Sequence, residues 1–390
     1  MRSMHSIFAS SRDRFNFPKM DILHYGNELT KAIKHVQKSG QLILGAGVAQ
    51  FENDFSLWLS PAQSHANVIG VANGTDALEI ALASCGVKAG DYVALPSFTA
   101  YATAAAVTRL GAKHLFVDVD PIHGLLCPYS LEAILSEQKE SVKAIIAVHL
   151  YGQSCSLDLI LRIAKKYEIP LVEDCAQACG TFYKDKHVGT FGSAASFSFY
   201  PTKNLSACGD GGAVLVNSHQ AYEYSRRYRF YGWDENKEAV QMGVNSRLDE
   251  IQSFLLSAKL KDLKKAVLKR RLLAKEYSKK LSKYLSSGLI VSLPSDGDEW
   301  ENSYHLYVIR IKKVLRDQII AKAKQDEIPL AIHYEIPCHK HQYSRFGGSL
   351  PNTCAWAETA LSLPLNPYMR VKDVMLVCNY LEEFFRYSLA

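Results

Sequence analysis

The stretch SFSFYPTKNLSACGDGG, residues 196–212, places a serine and phenylalanine run of strand character just before Lys203 and a cluster of glycines. A strand leading into a polar turn with a single lysine leaves two readings, a solvated loop residue or a nucleophile at the mouth of a pocket. The flanks bear on the choice. Apolar runs of strand length alternate with helix-length segments from residue 67 to about 217, which predicts strands joined by crossover helices and a largely parallel α/β sheet. The strands read as NVIGVAN (67–73), YVALP (92–96), HLFVDV (114–119), KAIIAVHL (143–150), PLVED (170–174), AASFSF (194–199) and GAVLVN (212–217). Helices fall at 75–85, 99–110, 129–138 and 156–167. In an open sheet of this kind ligands sit outside the carboxyl ends of the strands, where helix N-termini point inward. Lys203 follows one such end.

A chain of 390 residues with 48% hydrophobic content buries a substantial core, either as one large domain with a smaller one or as two of similar size. Beyond residue 217 the pattern turns helical, and residues 259–285 carry eleven Lys or Arg against two acids. Leu255, Leu256, Leu260, Leu263, Val267, Leu272 and Leu273 recur at helical spacing, so one long amphipathic helix reaching about residue 285 is expected. Its basic face reads as solvated, with attraction of an anionic substrate as the alternative. The Gly, Ser and Asp-rich break at 286–303 marks a boundary. The division is then an N-terminal extension (1–25), a large domain (26–285) and a small C-terminal α+β domain (286–390) with strands at 304–311 and 329–335 and a closing helix from about 371 to 387.

Nine scattered cysteines without a C-x-x-C indicate neither a disulfide framework nor a zinc site, and fit a reducing cytoplasm. No metal ligand set is expected. The basic N-terminus lacks the apolar segment of a signal peptide, and no uninterrupted apolar stretch is long enough to span a membrane. The basic run carries no finger or RNA-recognition signature and no interleaved aromatics, so nucleic acid is not an expected partner.

Around the strand ends, VANGTDALEIAL places Gly74 and Thr75 at the start of a helix, where free N–H groups and the helix dipole can hold a phosphate. Thr75 is equally an ordinary helix-capping residue. Ser198 can add a hydroxyl from a neighbouring strand end. PLVEDCAQACG ends a strand with Glu173 and Asp174, either a helix cap or the fixed anion that a protonated cofactor ring nitrogen needs. An ion pair at about 3 Å with an effective dielectric near 20 is worth roughly 5 kcal/mol, or about four pKa units before desolvation. One buried aspartate therefore suffices. Gln177 can orient a neighbouring ring hydroxyl. A phosphate cup, an anion for a pyridinium and an amine at a sheet-edge crevice are together what pyridoxal phosphate requires.

The order and wording of these segments resemble the DegT and StrS group of pyridoxal-phosphate sugar aminotransferases, of aspartate-aminotransferase fold type I. The likeness runs from SGQLILGAGVAQFENDF (39–55) through VANGTDAL, PSFTAYATAAAV, VEDCAQACG and the Lys203 segment to GVNSRLDEIQ and IHYEIPCHKH. The resemblance implies that Lys203 condenses with the cofactor aldehyde, that Asp174 pairs with the ring nitrogen and Gln177 with the ring hydroxyl, and that Thr75, the Asp76 amide and Ser198 bind the phosphate. Asn245 matches an asparagine that reaches the phosphate across a subunit interface, which implies a homodimer. Ala100 stands where relatives often carry an aromatic residue that stacks on the ring, so that either Tyr101 substitutes for it imperfectly or this subgroup stacks differently; Cys179 replaces a common histidine. The implied reaction moves an amino group, with glutamate as donor, to a nucleotide-linked keto sugar, a dTDP-3-keto-6-deoxyhexose being favoured. Tyr101, His333, Tyr334 and Arg247 are the expected substrate contacts, a structural role at a strand end being the alternative for His333 and Tyr334. The competing readings are a 4-keto sugar or cyclitol acceptor, and a regulatory member without turnover. The absence of G-x-G-x-x-G after the first strand argues against a nicotinamide enzyme.

Overall fold

Helices α1 (Ser11–Phe15), α2 (Phe17–His24), α3 (Gly26–Ser39) and α4 (Ala46–Leu59) precede the first strand. The computed structural model describes residues 11–61, 67–138, 141–297, 299–344 and 348–389. Residues 1–10 of the expected N-terminal extension lie outside them. The large sheet and its helices follow: β1 (Asn67–Val71), α5 (Gly74–Ser84), β2 (Tyr92–Pro96), α6 (Tyr101–Arg109), β3 (Lys113–Val117), α7 (Pro128–Gln138), β4 (Val142–Val148), α8 (Leu157–Tyr167) and β5 (Leu171–Asp174). A short hairpin, β6 (Phe182–Tyr183) and β7 (Lys186–His187), intervenes before β8 (Ala194–Ser198) and β9 (Gly212–Val216).

The strand order is β1-β9-β8-β5-β4-β2-β3. Neighbours from β8 through β3 pair in parallel, whereas β9 runs antiparallel to both β8 and β1. The reversal has a local cause. Residues 199–211, which carry Lys203, contain no α-helix, so the chain turns back beside β8 instead of crossing over to a parallel neighbour.

The remainder comprises α9 (His219–Tyr228), α10 (Glu250–Leu260), α11 (Leu263–Leu281), β10 (Ile290–Ser292), β11 (Trp300–Glu301), β12 (Tyr307–Ile311), α12 (Lys313–Gln325), α13 (Pro351–Thr359), β13 (Ala360–Leu363) and α14 (Val371–Leu389). Strands β10, β12 and β13 form a second sheet, and β11 extends the β6–β7 hairpin. The expected single basic helix is two helices, parted at Lys261 and Asp262, where the Tyr25 hydroxyl donates to Asp262 at 3.3 Å. Leu272 faces solvent and Leu273 is buried. The expected strand at 329–335 does not form: Ala331 alone bridges to Ser362. Beyond it the side chains are spent elsewhere, His333 on Ser362 and Tyr334 on Gln177, both at 2.8 Å. Strand β12 starts three residues later than the sequence suggests, because Leu306 N–H donates to the Tyr151 carbonyl rather than to a ladder.

Burial divides into two clusters. The larger surrounds the main sheet, with Phe51, Phe55, Phe197 and Phe199 meeting edge to face under α4. The smaller draws Leu273, Ala274, Tyr277 and Leu281 of α11 together with Tyr307, Ile309, Leu361, Leu363, Val377 and Phe385. Helix α11, on the N-terminal side of residue 286, thus forms a wall of the second core.

Candidate active site

The carboxyl ends of β1, β2, β4, β5 and β8 open on one cavity of about 240 Å³. Gly74, Thr75, Asp174, Gln177, Ser198 and Lys203 all line it. The structure brings these six residues, each singled out in the sequence, to one cavity. Ala100, Thr103, Val148, Tyr200 and Asp210 complete much of the wall.

The cup is built from backbone. Asn73 caps α5, its Oδ1 accepting the Asp76 N–H at 2.9 Å. That amide, expected on the phosphate, is engaged in the cap, while Gly74 and Thr75 N–H groups have no acceptor within the helix by their position in its first turn. A Cβ on Gly74 would lie 2.6 Å from Ser198 Cβ and 3.0 Å from its Oγ. Only glycine lets the Ser198 hydroxyl close against the helix start. The result is a cradle of two N–H groups and one hydroxyl at the positive end of a helix dipole, which suits a phosphate.

Asp174 is buried and accepts Thr103 Oγ1 at 3.0 Å and Ala176 N–H at 3.1 Å. Burial pushes its carboxyl up from the usual range, opposed by those two hydrogen bonds and by the Lys203 charge. Lys203 answers from across the cavity: burial lowers its amine to about 8, against the pull of Asp174. Behind Asp174, the Glu173 carboxylate takes the N–H groups of Gly189, Phe191 and Gly192 at 2.7–2.8 Å and pairs with His149 at 3.0 Å. His149 Nδ1 accepts Cys155 N–H, so Nε2 carries the proton toward Glu173. Burial would raise the Glu173 carboxyl, but the His149 contact and these amides hold it below its usual value. The nearby His149, Glu173 and Cys175 grouping therefore has its imidazole and carboxylate committed to protein partners.

Gln177 is fixed at both ends, accepting Tyr151 N–H and donating to the Tyr334 hydroxyl, each at 2.8 Å. Tyr334 thus reaches the site from the segment after α12, and burial pushes its phenol up to about 12. His333 stands beside it on Ser362. Tyr101 is turned away against His341 at 4.5 Å between ring centres, and Ala100, not Tyr101, lines the cavity. Asn245 is exposed and bridges Phe230; Arg247 stacks over Phe230 at 4.9 Å. Neither lines the cavity within this chain. Cys179 is buried outside it. Thr103 escaped the sequence reading, because nothing in the sequence marks a threonine in the alanine-rich helix after Ala100.

The residues fit pyridoxal phosphate: a cradle that a Cβ would close, a buried carboxylate with accepting capacity left, and an amine of lowered basicity. The fold and site define a pyridoxal-phosphate-dependent aminotransferase of fold type I. The chain belongs to the DegT/DnrJ/EryC1/StrS aminotransferase family, whose profile matches residues 24–382. It is 38% identical over 356 residues to the dTDP-3-amino-3,4,6-trideoxy-alpha-D-glucose transaminase of Micromonospora megalomicea subsp. nigra, covering 89% of this chain and 92% of that one. It is 37% identical over 364 residues, 92% of this chain and 95% of the other, to a pleiotropic regulatory protein of Geobacillus stearothermophilus. Among solved structures, NtdA of Bacillus subtilis with bound cofactor PMP superposes with a TM-score of 0.86 at 26% identity, over 96% of this chain and 84% of that one. No helix among the described residues is long and apolar enough to cross a membrane.

Proposed function

We propose that this aminotransferase moves an amino group from glutamate to a keto sugar carried on a nucleoside diphosphate, a dTDP-linked 3-keto-6-deoxyhexose, for deoxyamino sugar synthesis. The observation that carries the reading is the convergence of Lys203, Asp174 and the Gly74, Thr75 and Ser198 cradle on one cavity. Pyridoxal phosphate supplies an aldehyde and an electron-withdrawing ring for amino transfer. Lys203 is the amine that meets the aldehyde, and near pH 8 its Nζ can both take and return a proton. Asp174 holds the ring nitrogen protonated. Gln177, oriented by Tyr151 and Tyr334, faces the ring hydroxyl. His333 and Tyr334 contact the sugar, and Arg247, which does not line its own chain's cavity, meets the diphosphate across the dimer interface.

The chain works as a homodimer in which Asn245 reaches its partner's cavity. Support comes from its position: it is exposed and does not line its own chain's cavity, on a segment with Tyr231 and Met242 also exposed. The relative named as a sugar transaminase supports the acceptor class. The relative named as a regulatory protein supports a second reading, regulation without turnover, but such a role needs none of Lys203, Asp174 and Ser198. The test incubates cofactor-loaded protein with glutamate and a panel of nucleotide keto sugars, 3-keto and 4-keto, following 2-oxoglutarate release and product mass. Release with a 3-keto dTDP sugar is expected. No release with any sugar would sink the reading in favour of the regulatory one.

A further inference from the structure

The start of α5 presents an electrostatic conflict. Asp76 sits on the third residue of the helix whose first turn forms the cradle. A carboxylate there is attracted by the same dipole that attracts a phosphate, and within one turn of that phosphate it repels it. Asp76 is only 7% exposed, so water screens it poorly. Arg109, the last residue of α6, resolves the conflict: its Nη1 lies 2.7 Å from Asp76 Oδ1 and its Nε 2.7 Å from Glu79 Oε2. Tyr228 completes the cluster by donating its hydroxyl to Glu79 Oε1 at 3.1 Å. The Asn73 cap fixes the Asp76 backbone, so its carboxylate has little freedom to swing clear.

We propose that Arg109 is a positioning residue that neutralises Asp76 and thereby lets the first turn of α5 accept the cofactor's dianionic phosphate. The inference rests on the reading of Gly74, Thr75 and Ser198 as the phosphate cradle. Glu79 does not need Arg109 in the same way. It lies three residues further along α5 and keeps the Tyr228 hydroxyl, so Asp76 is the carboxylate nearer the cradle when Arg109 is gone. Arg109 contacts no cofactor atom in this scheme; it acts through Asp76.

The experiment titrates cofactor-free protein with pyridoxal phosphate and, separately, with pyridoxal, which lacks the phosphate, at one fixed ionic strength, reading dissociation constants from cofactor absorbance. Wild type is expected to prefer pyridoxal phosphate. In R109Q that affinity falls about tenfold or more while pyridoxal binding is unchanged. R109K keeps most of the preference, and the double variant D76N/R109Q regains it. D76N alone, which leaves the fold's other contacts in place, binds pyridoxal phosphate at least as tightly as wild type. A wild type without the preference overturns the cradle and the role of Arg109 with it. A preference that survives R109Q, a loss that D76N/R109Q does not repair, or weaker binding in D76N overturns the role of Arg109 alone.

Discussion

Lys203 and Asp174 are each pushed toward neutrality by burial, and each is held back by the other's charge. The consequence is a testable reactivity. With the amine near 8, about one lysine in ten is neutral at pH 7, against about one in three thousand at the ordinary value of 10.5. In cofactor-free protein, labelling of Lys203 by an aldehyde with borohydride trapping, read by peptide mass, is expected to rise with pH to a midpoint near 8. A midpoint at 10 or above would contradict it. Lys203→Ala should abolish covalent retention of pyridoxal phosphate while leaving the cradle able to bind it reversibly. Both residues were legible because ligands sit outside the carboxyl ends of strands in an open sheet, and these two fall at such ends together with the phosphate-cup residues. Thr103 was not, since a threonine in an alanine-rich helix carries no signal until the fold sets it 3.0 Å from Asp174. Nor was the Tyr334 bond to Gln177, which joins residues 157 positions apart.

Elements bring these residues together through close approaches that tolerate no extra atoms. The start of α5 meets β8 at Gly74, and Gly74→Ala would press a methyl 2.6 Å from Ser198 Cβ. Since the neighbour is a short side chain on a central strand, the helix start must shift. Affinity for pyridoxal phosphate should fall by about tenfold or more in the same titration while pyridoxal is little affected. Behind β5, Glu173 latches the turn of Gly189, Phe191 and Gly192 that leads into β8. Glu173→Gln removes a buried acceptor and aims an amide at backbone donors, a loss of about 2–4 kcal/mol by urea unfolding. The sign of its pH dependence follows from a depressed carboxyl: the contribution is present above the unfolded value near 4.3 and is lost as pH falls through the lower folded one. The variant's deficit should therefore shrink in acid. At this scale the periodic strands of the main sheet were readable to within a few residues. The sense of β9 was not, because it depends on what residues 199–211 do not contain. The segment 329–335 has strand composition, yet only Ala331 pairs with the β13 edge through its backbone, while His333 and Tyr334 bond through their side chains to Ser362 and Gln177.

Across the whole molecule, the N-terminal helices tie parts that a reading of residues 1–25 as an extension leaves separate. Arg14 grips Asp373 of α14 with two bonds of 2.8 and 2.7 Å, both side chains buried. Asp21 of α2 is a hub: Oδ2 accepts from Ser206 at 3.0 Å and pairs with Lys259 of α10, while Oδ1 accepts from Tyr368 at 2.8 Å. Ser206 lies on the turn that carries Lys203, Lys259 in the last turn of α10, and Tyr368 just before α14. The sequence hid this hub because its members are scattered singly, and an aspartate in a short N-terminal helix looks like surface. If residues 11–25 were only appended, Asp21→Ala would change stability by no more than about 0.5 kcal/mol, as surface substitutions do. The hub predicts far more. Removing one partner leaves the Lys259 ammonium buried without its counter-ion, a cost of about 3–5 kcal/mol. Burial already lowers the Lys259 pKa, so part of that cost is relieved when the ammonium loses its proton, and the deficit of Asp21→Ala should shrink as pH rises. Urea unfolding of cofactor-free wild type and Asp21→Ala at neutral and alkaline pH checks both points. A deficit that is small at neutral pH, or that grows toward alkaline pH, would show that the charge on Lys259 is not what Asp21 holds in place.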